Sequence, residues 1–122
     1  MGRRVLLIED EPHIAEAIGF ILARDGWAVT SHGDGSDAVD VIRREAPDVL
    51  VLDLMLPGRS GEEILADVRS DPMLADLPVL VLSARGQSEV RARAEAAGAS
   101  LFMAKPFGNA DILEALRRVA DQ

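Results

Sequence analysis

Two stretches of the sequence limit the fold more than any other feature: "VLVLD" at residues 49–53 and "VLVLS" at residues 79–83. Each has four consecutive aliphatic residues followed by one polar residue. A strand with one face in water alternates apolar and polar residues, whereas a strand that is covered on both faces does not. The two stretches therefore predict central strands of a parallel sheet with helices on both faces.

Three more apolar runs, at residues 5–8, 27–31 and 101–104, predict further strands. Between the runs, apolar residues recur at helical spacing: Ile14, Ile18, Ile21 and Leu22; Ala38, Val39 and Ile42; Ile64, Leu65 and Val68; Val90, Ala94 and Ala97; Ile112, Leu116 and Val119. Ser36 and Asn109 are candidate N-caps for two of these helices. The order of strand then helix, repeated five times without a linker, predicts a single α/β domain.

Composition excludes several classes of function. The net charge of −8 argues against direct nucleic-acid binding by this domain. The chain has no Cys, which excludes disulfides and thiolate metal sites. No apolar run approaches the roughly 18 residues of a membrane span, and acidic residues follow the first apolar run too soon for a secretory signal. We therefore expect a soluble cytoplasmic protein that does not bind membranes.

Polar side chains stand where the predicted strands end. Because the carboxyl ends of parallel strands meet at one edge of the sheet, these side chains should converge there. They are Glu9, Asp10 and Glu11 after the first run, Ser31 and His32 after the second, Asp53, Ser83 and Lys105 after the others. The sequence thus predicts acids, a hydroxyl and an ammonium in one cleft.

Crowded carboxylates repel each other unless a cation lies among them. Oxygen ligands without His or Cys favour Mg²⁺, which also takes phosphate oxygens, so we expect a phosphoryl-transfer site. Lys105 is the only Lys in a chain with 12 Arg. Its slim stem and compact charge suit a narrow cleft better than a guanidinium. We also predict a cis bond between Lys105 and Pro106.

Four motifs in this order, "VLLIEDE", "VLVLDLMLPGRSG", "VLVLSA" and "LFMAKPF", resemble those of the receiver domain of two-component response regulators. The resemblance covers essentially the whole chain, residues 1–122. It implies a flavodoxin-like, doubly wound (βα)5 fold with a five-stranded parallel sheet in the order 2-1-3-4-5.

The resemblance also implies the roles of the candidate residues. A sensor histidine kinase or a phosphotransfer protein would donate a phosphoryl group to Asp53, Ser83 would bind that group by a hydrogen bond, and Lys105 would pair with it. Mg²⁺ would be held by the carboxylates of Asp10 and Asp53, by Glu9 partly through water, and by the backbone carbonyl of Met55. The domain would catalyse only its own phosphorylation and a slow autodephosphorylation, and it would not otherwise be an enzyme.

Signalling would depend on Ser83 and on the aromatic residue Phe102. Phosphorylation would draw Ser83 inward, Phe102 would follow, and the face formed by the fourth helix, fifth strand and fifth helix would change for an effector protein or an appended output domain. A homodimer that depends on phosphorylation is left open. Phe102 replaces the commoner Tyr, so its inward and outward states should differ by packing only. Met55 and Arg85 lie at positions that tune hydrolysis of the acyl phosphate, and neither can orient a water readily.

Two other functions stay open at this point. The first is a Mg²⁺-dependent phosphohydrolase with an aspartyl-phosphate intermediate, although Met55 stands where such enzymes carry a second Asp. The second is a receiver-like interaction module that is never phosphorylated. Structural roles are also open for the same residues: Glu9 and Asp10 as helix-entry charges, Asp53 as a loop residue, Ser83 as a cap, Lys105 as a surface residue and Phe102 as static core. We expect Glu11 to be a helix N-terminal charge and both His13 and His32 to be solvated.

Overall fold

The computed structural model describes residues 3–84 and 88–121. Strands and helices alternate along the described chain. They are β1 (Arg4–Ile8), α1 (Pro12–Arg24), β2 (Ala28–His32), α2 (Ala38–Glu45), β3 (Val49–Asp53), α3 (Gly61–Ser70), β4 (Val79–Ser83), α4 (Ser88–Ala96), β5 (Leu101–Ala104) and α5 (Asn109–Ala120). In the described ranges, none of the helices has the length and apolarity that crossing a bilayer requires.

The strands form one parallel sheet in the order β2-β1-β3-β4-β5. This confirms the predicted α/β class and the predicted strand order. The order reverses between β1 and β3, and a cleft opens at such a reversal beyond the carboxyl ends of the strands. Register places Ile8 of β1 beside Leu52 of β3, and Asp53 beside Leu82 of β4. The residues that follow β1 and those that end β3 and β4 therefore share one edge.

Two of the interior strands, β3 and β4, are the most buried part of the sheet. Every residue of β3 and of β4 is buried, as the continuous apolar runs predict. One face packs against α2, α3 and α4, and the other against α1 and α5. Complete burial of each Val or Leu side chain stabilises the folded state by roughly 1.5–3 kcal/mol. Residues at the ends of these strands are therefore held firmly in place.

Local capping fixes where the helices begin. The Glu11 carboxylate accepts a hydrogen bond from the His13 amide at 2.8 Å, which confirms Glu11 as a charge at the N-terminus of α1. The N-cap of α2 is Asp37 and not Ser36, because the Ser36 hydroxyl is bonded to Asp34 instead.

The N-cap of α5 is Gly108 and not Asn109. The Asp111 carboxylate accepts a hydrogen bond from the Gly108 amide at 3.0 Å and so closes the first turn one residue earlier than the sequence predicts.

Candidate functional site

Three carboxylates meet at the carboxyl edge of the sheet. Oxygens of Glu9, Asp10 and Asp53 lie within 4.8 Å of one another. Glu9 and Asp53 are each only 3% exposed, whereas Asp10 faces solvent. Burial of two acids at the end of apolar strands is costly unless an opposite charge or hydrogen bonds compensate. The carboxylates predicted to converge are therefore together, and their burial calls for a positive charge beside them.

Lys105 supplies one such charge. Its Nζ donates a hydrogen bond to Glu9 Oε1 at 2.6 Å and another to Asp53 Oδ2 at 3.1 Å. The Lys105 amide also donates to the Ser83 carbonyl at 2.8 Å, so the end of β5 is fixed to the end of β4. The peptide bond between Lys105 and Pro106 is cis, which confirms that prediction. A surface role for this Lys is excluded, because the side chain is largely buried between two acids.

Glu9 is the carboxylate of the cluster whose pKa shifts most clearly. Burial, together with the hydrogen bond and charge of Asp53, raises the pKa of Glu9 from 4.5 to about 7, although Lys105 opposes the shift. Partial burial alone would lower the pKa of Lys105, but its hydrogen bond to Glu9 and the charge of Asp53 raise it above 10.5. The site thus holds more negative charge than one ammonium neutralises at neutral pH.

The backbone also holds the acids in place. The Met55 amide donates to Asp53 Oδ1 at 3.0 Å, and the Glu11 amide donates to Glu9 Oε2 at 3.3 Å. Asp53 therefore has one oxygen bonded to a backbone N–H and the other to Lys105. Ser83 is buried at the end of the neighbouring strand. Met55, two residues after Asp53, is 53% exposed.

The donor set fits a hard divalent cation. All three side chains offer carboxylate oxygens, and the cluster contains neither His nor Cys. Mg²⁺ prefers oxygen ligands and commonly keeps several waters, which the solvent-facing side at Asp10 would admit. A cation here would also favour the ionised form of Glu9, because it would offset the repulsion from Asp53.

Comparison with known families identifies the family to which the fold belongs. The family model described as "Response regulator receiver domain" matches residues 5–117. The chain belongs to the response regulator receiver domain family. This receiver domain is a signalling domain, as the sequence predicts, and the comparisons favour neither the phosphohydrolase nor the unphosphorylated module.

A curated relative and two solved structures are particularly similar to the receiver domain. TcrX of Mycobacterium tuberculosis, a probable transcriptional regulatory protein, is 42% identical over 93% of this chain, which spans 47% of TcrX. A putative response regulator from Chloroflexus aurantiacus has a TM-score of 0.95 at 28% identity, with full coverage of both chains.

The receiver domain of the sensor histidine kinase PA1611 from Pseudomonas aeruginosa has a TM-score of 0.92 at 29% identity, again with full coverage of both chains. That structure has a magnesium ion coordinated in its active-site cleft. At the family level this supports Mg²⁺ for the acidic cluster of the present receiver domain. The chain itself spans about half the length of the curated relative described above.

The predicted switch aromatic, Phe102, is buried in the structure. Phe102 is only 5% exposed and belongs to the core cluster on the α2, α3 and α4 face. The guanidinium carbon of Arg91, on α4, lies 5.0 Å from the centre of the Phe102 ring. The buried position of Phe102 therefore has a cation–π partner, so packing is not its only support. Arg85, the other residue expected to tune hydrolysis, lies outside the described residues.

Sequence reasoning missed two other features of the receiver domain. The first is the bond from Lys105 to Glu9, which is shorter than its bond to Asp53. The second concerns His32, which was expected to be solvated: its Nε2 lies 2.7 Å from an Asp37 carboxylate oxygen. A His five residues before an Asp at the start of a helix is the only sequence signal for that contact.

Proposed function

We propose that Asp53 accepts a phosphoryl group from a histidine kinase or a phosphotransfer protein, and that this modification switches the signalling state of the domain. The observation that carries the proposal is the environment of Asp53. Its carboxylate is buried at the end of a central strand, its two oxygens are held by Lys105 and the Met55 amide, and the acidic pair Glu9 and Asp10 lies alongside.

The chain's own groups would assist the transfer by position and charge. An oxygen of Asp53 would attack the phosphorus atom, the bond from phosphorus to the donor's imidazole nitrogen would break, and that nitrogen would keep the bonding electrons and take up a proton. The Lys105 ammonium would donate a hydrogen bond to one phosphoryl oxygen, either in place of its bond to Glu9 or in addition to it. The Ser83 hydroxyl would donate a hydrogen bond to a second phosphoryl oxygen. Fixed donors of this kind stabilise charge that develops during the reaction.

We propose Glu9, Asp10, Asp53 and the Met55 carbonyl as the ligands of one Mg²⁺. A divalent cation bound there would neutralise phosphoryl oxygens as they approach the acids. Its requirement follows from the charge balance, because two buried carboxylates and an incoming phosphoryl group exceed the single charge of Lys105. Autodephosphorylation should be slow, because Met55 has no polar group with which to orient a water.

The output would follow from the position of Ser83 between Asp53 and the α4, β5 and α5 face. Movement of Ser83 toward the phosphoryl group would vacate space and change the packing of Phe102. An effector protein or an appended output domain would read the altered face, and a phosphorylation-dependent homodimer is an alternative partner. The net charge of −8 favours a protein partner over direct nucleic-acid contact. We propose a cytoplasmic location and a single receiver domain over residues 1–122.

Incubation with acetyl phosphate and MgCl₂, followed by intact-protein mass spectrometry, tests the proposal. We expect the mass of one added phosphoryl group on the wild-type protein. We expect no addition when EDTA is present from the start, and none to an Asp53→Asn variant. Asp76→Asn is the matched control, because Asp76 is an exposed acid that precedes β4, whereas the cluster lies at the carboxyl ends of the strands.

The alternatives give different results in the same experiment. Steady release of phosphate from monoester substrates would support a phosphohydrolase. A folded protein that acquires no phosphoryl group with Mg²⁺ present would support an unphosphorylated interaction module. Addition at a residue other than Asp53 would overturn the assignment of the acceptor.

A further inference from the structure

Residues 32–36, here called the bridging segment, contact both the acidic pair Glu9 and Asp10 and the loop after Asp53. The segment adds no side chain to the acidic cluster itself. At one end, the His32 carbonyl accepts a hydrogen bond from the Glu9 amide at 3.0 Å. At the other end, the Gly35 amide donates to the Pro57 carbonyl at 3.0 Å. Pro57 belongs to the loop that follows Asp53. The bridging segment is thus bonded both to the acidic pair and to the loop that carries Met55.

The contact between the bridging segment and the loop after Asp53 leaves no room for a side chain at position 35. A Cβ built on Gly35 would lie 2.1 Å from the Arg59 carbonyl oxygen and 3.0 Å from two other backbone atoms of Arg59. These are backbone atoms of the loop after Asp53, so the loop itself would have to move to admit a side chain. Gly33, in the same segment, differs: its nearest neighbour would be the Glu9 carbonyl at 3.7 Å, which is ordinary van der Waals contact.

Asp34 makes the contact rigid. Its Oδ1 accepts hydrogen bonds from both the amide and the hydroxyl of Ser36, each at 2.7 Å. The same two residues close around Gly58, whose φ is +82°: a Cβ there would lie 2.9 Å from Asp34 Oδ1 and 3.0 Å from Ser36 Cβ. The loop after Asp53 is therefore seated on an ordered turn.

We propose that the bridging segment sets the spacing between the acidic pair and the loop after Asp53, and that Gly35 is a positioning residue for the Mg²⁺ site. The inference rests on the proposed function, since it concerns the same cation. Mg²⁺ demands a nearly regular octahedral arrangement of ligands and tolerates displaced ligands poorly. A shift of the loop would move the Met55 carbonyl relative to Glu9 and Asp10.

The expected effect is on cation affinity more than on folding. Partners outside the ligand shell typically change metal affinity by about 10–100-fold when they are altered. We expect Gly35→Ala to raise the dissociation constant for Mg²⁺ by about tenfold, while Gly33→Ala changes it by less than about twofold. Asp34→Ala keeps the glycine but removes the turn, so it should weaken binding in the same direction and by less.

Isothermal titration calorimetry of each purified protein with MgCl₂ measures these affinities. Thermal unfolding in EDTA measures the stability of each protein without the cation. The inference predicts weaker binding by Gly35→Ala and Asp34→Ala at melting temperatures close to wild type. If Gly35→Ala does not fold, Asp34→Ala decides, because Asp34 is exposed and its removal leaves the core intact.

Three results would overturn the inference. Wild-type affinity in a folded Gly35→Ala and in Asp34→Ala would remove the positioning role while leaving the proposed function untouched. Equal weakening by Gly33→Ala would show a general effect of altering the segment. A wild-type protein that does not bind Mg²⁺ at all would instead contradict the proposed function, and this inference would fall with it.

Discussion

The guanidinium of Arg91 lies over the ring of Phe102, at 5.0 Å from its centre, and links α4 to β5. A cation over a buried ring contributes more than one over an exposed ring. Arg91→Gln should therefore lower the free energy of unfolding by about 1 kcal/mol and increase the mobility of the Phe102 ring.

Denaturant unfolding and NMR of the ring protons check this prediction. Arg24→Gln is the matched control, because Arg24 lies 5.6 Å over Phe20, a ring that is 63% exposed. The control should lower the free energy of unfolding by less than Arg91→Gln does. Equal decreases in the two variants would mean that the buried contact contributes no more than the exposed one.

The raised pKa of Glu9 makes stability depend on pH. The folded protein binds a proton at Glu9 up to about pH 7, whereas the unfolded chain releases it near 4.5, so the folded state holds more protons between these values. Stability contributed by Glu9 is therefore fully present below pH 4.5 and is lost as the pH rises toward 7. At about 1.4 kcal/mol per pKa unit, the loss is of the order of a few kcal/mol.

Denaturant titrations in EDTA between pH 4 and 8 measure this effect as the difference between wild type and Glu9→Gln. We expect wild type to lose stability relative to the variant as the pH rises. Added MgCl₂ should reverse the loss above neutrality, because the cation stabilises the ionised carboxylate. Parallel curves for the two proteins would contradict the assignment of the titration to Glu9.

Lys105 should not tolerate replacement by Arg, although the charge is the same. The ammonium reaches both Glu9 and Asp53 within a largely buried space, where a planar guanidinium would need more room. We expect Lys105→Arg to slow phosphorylation by acetyl phosphate at least about tenfold while the protein remains folded. Phosphorylation at the wild-type rate would refute the steric explanation for the single Lys.

Met55 offers a test of the lifetime of the phosphorylated state. A polar amide at this half-exposed position could orient a water toward phospho-Asp53, so Met55→Asn should speed dephosphorylation at least about tenfold. Met73→Asn is the control, since Met73 is also exposed but lies in the connection between α3 and β4. Mass spectrometry after removal of acetyl phosphate follows the decay. A wild-type half-life of seconds would contradict the proposed slow hydrolysis.

Much of the fold could be predicted because burial leaves a direct trace in the sequence. The runs that became β3 and β4 have no polar alternation, and the structure buries every residue in them. The edge strand β2 was predicted one residue early, because Trp27 is apolar and buried yet precedes the strand. At a sheet edge, apolar composition does not mark where the backbone begins to pair.

The site could be predicted only as far as side chains mark it. Glu9, Asp53 and Lys105 converge because parallel strands end together, and strand ends are readable in the sequence. The bridging segment escaped notice, since its contacts at His32 and Gly35 use backbone atoms that every residue has. Likewise, nothing in the spacing of Arg91 from Phe102 indicates which face of α4 the guanidinium covers.

Asp53 and Ser83 terminate the two strands in which every residue is buried, whereas Phe102 lies on the edge strand β5, against which α4 packs. Divergence can therefore act on the two regions separately. Substitutions on α4 and β5 can change which protein is recognised while the acceptor keeps its surroundings. A single chemical event can in this way be inherited unchanged by lineages that use it to control unrelated processes.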